Sequence, residues 1–330
     1  VYAASILAGT VIQVLLPVPW LRGRDGRLRL VLDWRDPAVK RVFALMVPVT
    51  ISLGLINVNA VVDSLFASRL IDPNLAPSAI DKAFRVYMLP QGMFSVAVAT
   101  VLFPSLARAA ARGDVPAVRA TVSTGLRQIG FLLIPASVVS AVLAEPIVRL
   151  LYQRGHFTPH QTSVVAGALA AFAAGLTFNG TMLMLNRAFF SLQSNWIPTA
   201  IALGNLGLNG ALDGAFYRLG VWGIPLSTSV VNLVGTAALL VLLRRRLGRV
   251  DGGAVLSSYV RVTAAAAGAG AVAFGAWYAL DAAAGRSLAG QLASVVPALL
   301  VATAAYVAAC RLLSVGELRT LTSLRHPPRR

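Results

Sequence analysis

Residues Ser78–Leu106 read SAIDKAFRVYMLPQGMFSVAVATVLFPSL. Arg85 stands at the head of an apolar run long enough to cross a bilayer, because about 20 residues rising 1.5 Å each span the roughly 30 Å of hydrocarbon. A guanidinium is costly to place in hydrocarbon, so such a residue normally faces a watery cavity or a partner. Arg85 is therefore the first candidate functional residue, and what it grips is the main question.

The same pattern repeats outward in both directions. The chain is 57% hydrophobic with only 12% charged residues and a mean hydropathy of +0.73, whereas soluble domains carry roughly 25% charge. These values predict an all-α, polytopic transmembrane helix bundle of about nine spans. Their expected positions are 1–20, 38–68, 77–106, 121–148, 161–190, 197–217, 221–243, 255–280 and 288–315.

The formal net charge of +17 raises nucleic acid as a partner, since basic patches neutralise phosphates. Its distribution argues against that reading. Most of the 29 Lys and Arg residues cluster between Arg22 and Arg41, Arg108 and Arg127, Arg244 and Arg249, and from Arg311 onward. These clusters fall on alternate connections, so the positive-inside rule places them, and the C-terminus, in the cytoplasm. The first span then runs inward from Val1, and a chain starting this way reads as part of a larger protein.

The residues that would support other chemistries are missing or scattered. Cys310 is the only cysteine, inside the last apolar stretch, and reads as an inert thiol. His156, His160 and His326 stand apart from any carboxylate or cysteine cluster at metal-ligand spacing, so no transition-metal site is expected. No G-x-x-x-x-G-K-[ST], G-x-S-x-G or H-E-x-x-H occurs. Without a nucleotide site, work against a gradient must draw on an ion gradient or the membrane potential. A secondary transporter, not an enzyme, fits these residues.

Polar groups within the spans suggest two sites. Asn59 and Asp63 share a helix face, with Asn57 about 200° around; Asn209 and Asp213 continue a stripe begun by Asn205. With Ser227, Thr228 and Ser229 on the following span, they supply hard oxygen donors of the kind Na+ prefers. They equally suit interhelical hydrogen bonding. Arg85 and Lys82, one turn apart, can bind a dianion or snorkel to the interface. Pro48, Pro90 with Gly92, Pro104, Pro135 and Pro225 are expected to kink their helices.

Four ordered stretches carry a resemblance: LINVNAVVDSLFAS from Leu55, FRVYMLPQGMFSVAVATVLFPSLARAAARGD from Phe84, LAEPIVRLLYQRGHFTPHQT from Leu143 and NRAFFSLQSNWIPT from Asn186. Together they resemble the MurJ (MviN) lipid II flippases of bacteria, in the multidrug/oligosaccharidyl-lipid/polysaccharide exporter superfamily. The resemblance implies two six-helix lobes around a cationic cavity, with two further helices lining a groove for the lipid tail. On that pattern residues 1–36 are the last helix of the first lobe with a basic loop, 37–250 the second lobe, and 251–330 the two final helices with a basic tail.

The resemblance places Arg85, five residues before Pro90, at the second-lobe cavity arginine, with Lys82, Asn57 and Asn59 as further substrate-binding candidates. It implies an ion-binding set of Asp63, Asn209, Asp213, Thr228 and Ser229 for Na+. Two departures stand out. Ser194–Pro198 reads SNWIP where family members often have D-T-R-T-P, and Lys82-Ala83-Phe84 stands where many have Tyr-Ala-Asp. The implied activity is flipping of lipid II, an undecaprenyl-pyrophosphate-linked disaccharide peptide, across the bacterial inner membrane by alternating access. An ion-coupled exporter of other lipid-linked glycans or of drugs is the competing reading, and a noncatalytic membrane scaffold the third.

Overall fold

In hydrocarbon every backbone N–H and C=O must find its partner within the protein, and an α-helix does this within one segment. The computed structural model describes residues 2–16, 36–248, 251–285 and 287–318 and shows helices without a strand among them. The helices are α1 (Tyr2–Leu15), α2 (Pro37–Phe66), α3 (Ala76–Pro90), α4 (Val96–Ala111), α5 (Val115–Val142), α6 (Ala144–Tyr152), α7 (Pro159–Ser191), α8 (Trp196–Phe216), α9 (Gly223–Leu247), α10 (Gly252–Ala284) and α11 (Leu288–Leu312). Much of the first basic cluster, Arg249, the basic tail from Arg319, and His326 lie outside the described residues.

Seven segments of the described chain are long and apolar enough to cross a membrane. The expected count of nine is not confirmed on that criterion. α1 is described over only 14 residues, and in α8 the polar Asn205, Asn209 and Asp213 dilute the apolar content. The segment expected at 121–148 also ends earlier. The chain leaves helical geometry at Leu143 and restarts as α6, where Pro146 occupies the first turn and its missing N–H costs nothing.

The prolines divide into two classes. Pro48, Pro104 and Pro135 sit inside helices, and Pro90 is followed by a π-helical turn, Gln91–Ser95, that joins α3 to α4. Pro225 is the third residue of α9. It therefore starts a helix and does not kink one, contrary to the sequence expectation.

The described chain divides into two compact units, Val1–Met46 and Val47–Arg330. The first holds α1 and the opening turns of α2. In the second, α7 is the central post, with α3, α4, α5, α6 and α9 around it. One continuous core joins Tyr87, Leu106, Ile129, Leu169, Met184, Phe189 and Leu239.

Small residues allow the close approaches that membrane helices depend on. A Cβ added at Gly175 of α7 would meet the Ser229 Cα at 2.6 Å, and Ser229 Oγ donates to the Ala171 carbonyl at 2.6 Å.

α10 and α11 pair with each other and lie against α5. Pro135 cannot donate to the carbonyl four residues before it, and Tyr306 of α11 donates its hydroxyl to that carbonyl, Phe131 O, at 2.6 Å. One turn earlier Tyr259 of α10 donates to Leu126 O at 3.0 Å, its ring filling the space over Gly130. Arg149 of α6 pairs with Asp281 of α10 and lies 5.8 Å from the Trp277 ring.

Candidate functional site

α3 is amphipathic in an unusual direction for a membrane helix. Ala76, Ala79, Ile80, Ala83, Val86 and Tyr87 are buried, toward α7, while Asp81, Phe84, Arg85, Met88 and Leu89 lie on the opposite, exposed arc. Its start is fixed locally: Asp72 Oδ1 accepts from the backbone N–H groups of Asn74 and Leu75 at 2.8 and 3.0 Å, and Pro77 fills a first-turn position.

Arg85 is 70% exposed and its Nε donates to Asp81 Oδ2 at 2.8 Å. An exposed pair one turn apart contributes only about 0.3–0.5 kcal/mol to stability. The pair does orient the guanidinium, whose planar fork suits phosphate oxygens.

Lys82 points elsewhere. Its Nζ donates to Ser78 Oγ and sits 5.8 Å from the Phe157 ring centroid, while its carbonyl accepts from the Tyr152 hydroxyl at 3.3 Å. Burial raises the Tyr152 phenol above its usual pKa against the opposing pull of the Arg85 cation, so it stays a protonated donor. Residues 81–85 of α3 thus combine two cations, an acid and nearby aromatic side chains.

The second cluster is deeper and linked through carboxylates. Asn59 Nδ2 donates to Asp63 at 3.3 and 3.2 Å. Asn209 Nδ2 donates to Asp63 Oδ1 at 2.7 Å and to Asp213 Oδ2 at 3.1 Å. Ser227 Oγ donates to Asp213 Oδ1. Asn209 and Asp213 are buried, and Asn209 Oδ1 is a buried acceptor without a hydrogen-bond partner among the described residues.

Two acids and an orphaned amide oxygen in one place fit a hard monovalent cation, which takes oxygen ligands. Among the described residues no three His, Cys, Asp or Glu side chains gather.

Three of the positions named from sequence are not in this cluster. Asn57 is exposed, on another side of α2. Thr228 Oγ1 donates to Ile224 O of its own helix at 3.4 Å, and Ser229 is committed to α7. Ser227 takes their place. The clue lay in Gly175: once Ser229 faces that glycine, Ser227, about 200° around the helix, turns toward α8.

A second link between α2 and α8 was also not foreseen. Thr199 Oγ1 donates to Pro48 O at 2.8 Å and lies 2.9 Å from Ser52 Oγ, so α2 is tied to α8 both near its middle and, through Asp63, near its C-terminal end. An apolar groove of about 550 Å³ on α9, bounded by Leu233, Val241 and Arg245, belongs to neither polar cluster.

The arrangement of a central helix, an exposed arginine and paired acids can be set beside known proteins. The family model described as lipid II flippase MurJ matches residues 1–288. The chain belongs to the MurJ family.

Among curated MurJ relatives, the protein of Synechocystis sp., named a probable lipid II flippase MurJ, is 33% identical over 81% of this chain and 51% of its own length. That of Bdellovibrio bacteriovorus is 30% identical over 98% of this chain and 61% of its own. The chain thus spans roughly half to three fifths of the length of these MurJ relatives.

A solved structure described as lipid II flippase MurJ in an inward closed conformation matches with a TM-score of 0.67 at 21% identity, over 96% of this chain and 61% of that one. An outward-facing multidrug resistance MATE family transporter of the MOP superfamily matches with a TM-score of 0.54 at 15% identity, over 85% and 67%. Both likenesses concern the fold. The chain is a multi-span membrane protein with a MurJ-like fold.

Proposed function

We propose that this chain supplies the second lobe and final helices of a flippase that carries lipid II from the cytoplasmic to the outer leaflet of the bacterial inner membrane. Family membership supports the substrate class. The observation that carries the residue-level reading is Arg85, exposed on the arc of α3 that faces away from the α7 core and oriented by Asp81.

The mechanism follows from charge. Two phosphates entering a low-dielectric region face a prohibitive desolvation cost unless cations meet them. Arg85 forms paired hydrogen bonds to the pyrophosphate, Lys82 adds positive potential from one flank, and Asn57 and Asn59 offer amides to the headgroup. The undecaprenyl tail stays in lipid along α10 and α11. Rocking of the lobes exposes the headgroup on the other side, and the membrane potential favours outward movement of the anion. The basic connections and the C-terminus lie in the cytoplasm.

Na+ at Asp63, Asn209 and Asp213, with Ser227 in place of Thr228 and Ser229, neutralises the paired acids when bound. Asn209 ties α2 to α8 through Asp63 and Ser227 ties α9 to α8 through Asp213, so the charge state of the acids bears on how these helices are fastened. A multidrug exporter on the same scaffold needs an acidic, aromatic cavity for organic cations. The guanidinium on α3 has the opposite sign.

Complementation tests this reading. Cells depleted of their own lipid II flippase are expected to grow when given the full polypeptide, and to stop growing when it carries Arg85→Ala at equal membrane abundance. Failure of the inserted wild type to rescue overturns the substrate; full rescue by Arg85→Ala overturns the residue's role.

A further inference from the structure

Beside Arg85 stands Phe84, a position at which the sequence departs from the family resemblance. Its side chain is 37% exposed although the residue lies on a helix whose neighbouring aromatic, Tyr87, is fully buried. The ring is held on two sides. Tyr87 stacks beneath it with centroids 5.8 Å apart and planes inclined by 29°, and Phe172 of α7 meets it edge-on at 5.6 Å and 60°.

The support beneath is itself fixed. Tyr87 and Phe172 lie 5.3 Å apart, and Asn179 Nδ2 donates to the Tyr87 hydroxyl at 2.6 Å. Phe84 is thus a braced ring with part of its surface left uncovered. Outward-facing apolar side chains are common on membrane helices, and Met88 and Leu89 are more exposed than Phe84; what sets this ring apart is the brace beneath it and its place beside Arg85.

The surroundings of the uncovered part decide what it meets. Consecutive residues leave a helix about 100° apart, so the ring shares its exposed arc with Asp81 and Arg85, both more than half exposed, and with the apolar Met88 and Leu89. An aromatic face bears partial negative charge and attracts polarised C–H groups. The apolar face of a pyranose presents just such C–H groups, and in a lipid-linked glycan the first sugar is bonded directly to the distal phosphate. A pyrophosphate on the Arg85 guanidinium therefore brings that sugar to the neighbouring side chain.

We infer that Phe84 is a sugar-stacking platform that distinguishes a glycosylated pyrophosphate lipid from the bare one, with Arg85 holding the phosphates and Phe84 reading the attached pyranose. The inference rests on the reading of the protein as a carrier of lipid-linked glycan.

Two lipids separate the roles. Affinities of the full polypeptide in nanodiscs are measured for undecaprenyl pyrophosphate and for the same lipid carrying the disaccharide without its peptide. Phe84→Leu keeps apolar volume against Tyr87 and Phe172 but removes the ring. It is expected to weaken the glycosylated lipid about three- to tenfold while leaving the bare lipid unchanged. Phe84→Tyr should retain the preference, and Arg85→Ala should weaken both lipids together. An unaltered preference in Phe84→Leu, or an equal loss for both lipids with an unshifted melting temperature, overturns the platform. A wild type that binds neither lipid overturns the carrier reading and the platform with it.

Discussion

Tyr306 donates its hydroxyl to the carbonyl of Phe131 at 2.6 Å, and Phe131 lies four residues before Pro135. A proline on one helix and a tyrosine 171 positions later therefore form a single fitted joint. In hydrocarbon an unpaired carbonyl has no water to fall back on, so the tyrosine is what makes this proline affordable.

The joint predicts a coupled pair of substitutions. Tyr306→Phe should destabilise the detergent-solubilised protein by about 1–3 kcal/mol, the cost of a buried acceptor left unpaired. In a Pro135→Ala background the restored N–H supplies the missing partner, and the same tyrosine change should cost clearly less. Thermal unfolding across the four-member cycle reads the coupling; strictly additive effects would show that the hydroxyl does not serve that carbonyl.

The approach of α7 to α9 predicts intolerance at Gly175. Its added Cβ would meet backbone, the Ser229 Cα, at 2.6 Å, and no rotamer change relieves that. Gly175→Ala is expected to cost about 1–3 kcal/mol by forcing the helices apart, seen as a lower melting temperature. At Gly204, where nothing stands within 4 Å, Gly→Ala should be neutral or stabilising.

For the acid cluster, the hydrogen bonds order the expected effects. If Na+ binds there, Asp63→Asn and Asp213→Asn should each abolish the sodium dependence of substrate binding, and Ser227→Ala should weaken it. Thr228→Val should leave it intact, because Thr228 bonds only to its own helix in the described contacts. Titration of substrate affinity against NaCl, with choline chloride balancing ionic strength, makes the comparison. Unchanged sodium dependence in both aspartate variants would remove the ion from this site.

Much of this was legible in the sequence because membranes impose a simple rule. Runs of apolar residues must be helices, and the charge clusters punctuate them, so most described helices lie close to their expected bounds, while the span expected at 121–148 is displaced to Val115–Val142. The breaks were less legible. The break at Leu143 falls inside a stretch expected as one span, and Pro225, expected to kink its helix, lies in a first turn just past an expected boundary.

At the site, spacing by four brought Asn59 to Asp63 and Asn209 to Asp213. The choice among Ser227, Thr228 and Ser229 depended on which of them meets Gly175, a contact between residues more than 50 positions apart. Lys82 was expected to act beside Arg85, and only the fold shows it drawn toward Phe157. The brace under Phe84 likewise requires Phe172 from another helix.

The central claim is that Arg85 faces a water-filled space where a diphosphate can reach it. Cys310 is buried, and with every other cysteine of the full polypeptide replaced by serine a single added thiol can be followed. Arg85→Cys, placed in the full polypeptide in cells or inverted vesicles, should react with a membrane-impermeant, charged thiosulfonate from at least one side of the membrane. Reaction solely with an apolar, lipid-soluble maleimide would put this position against acyl chains and contradict the account.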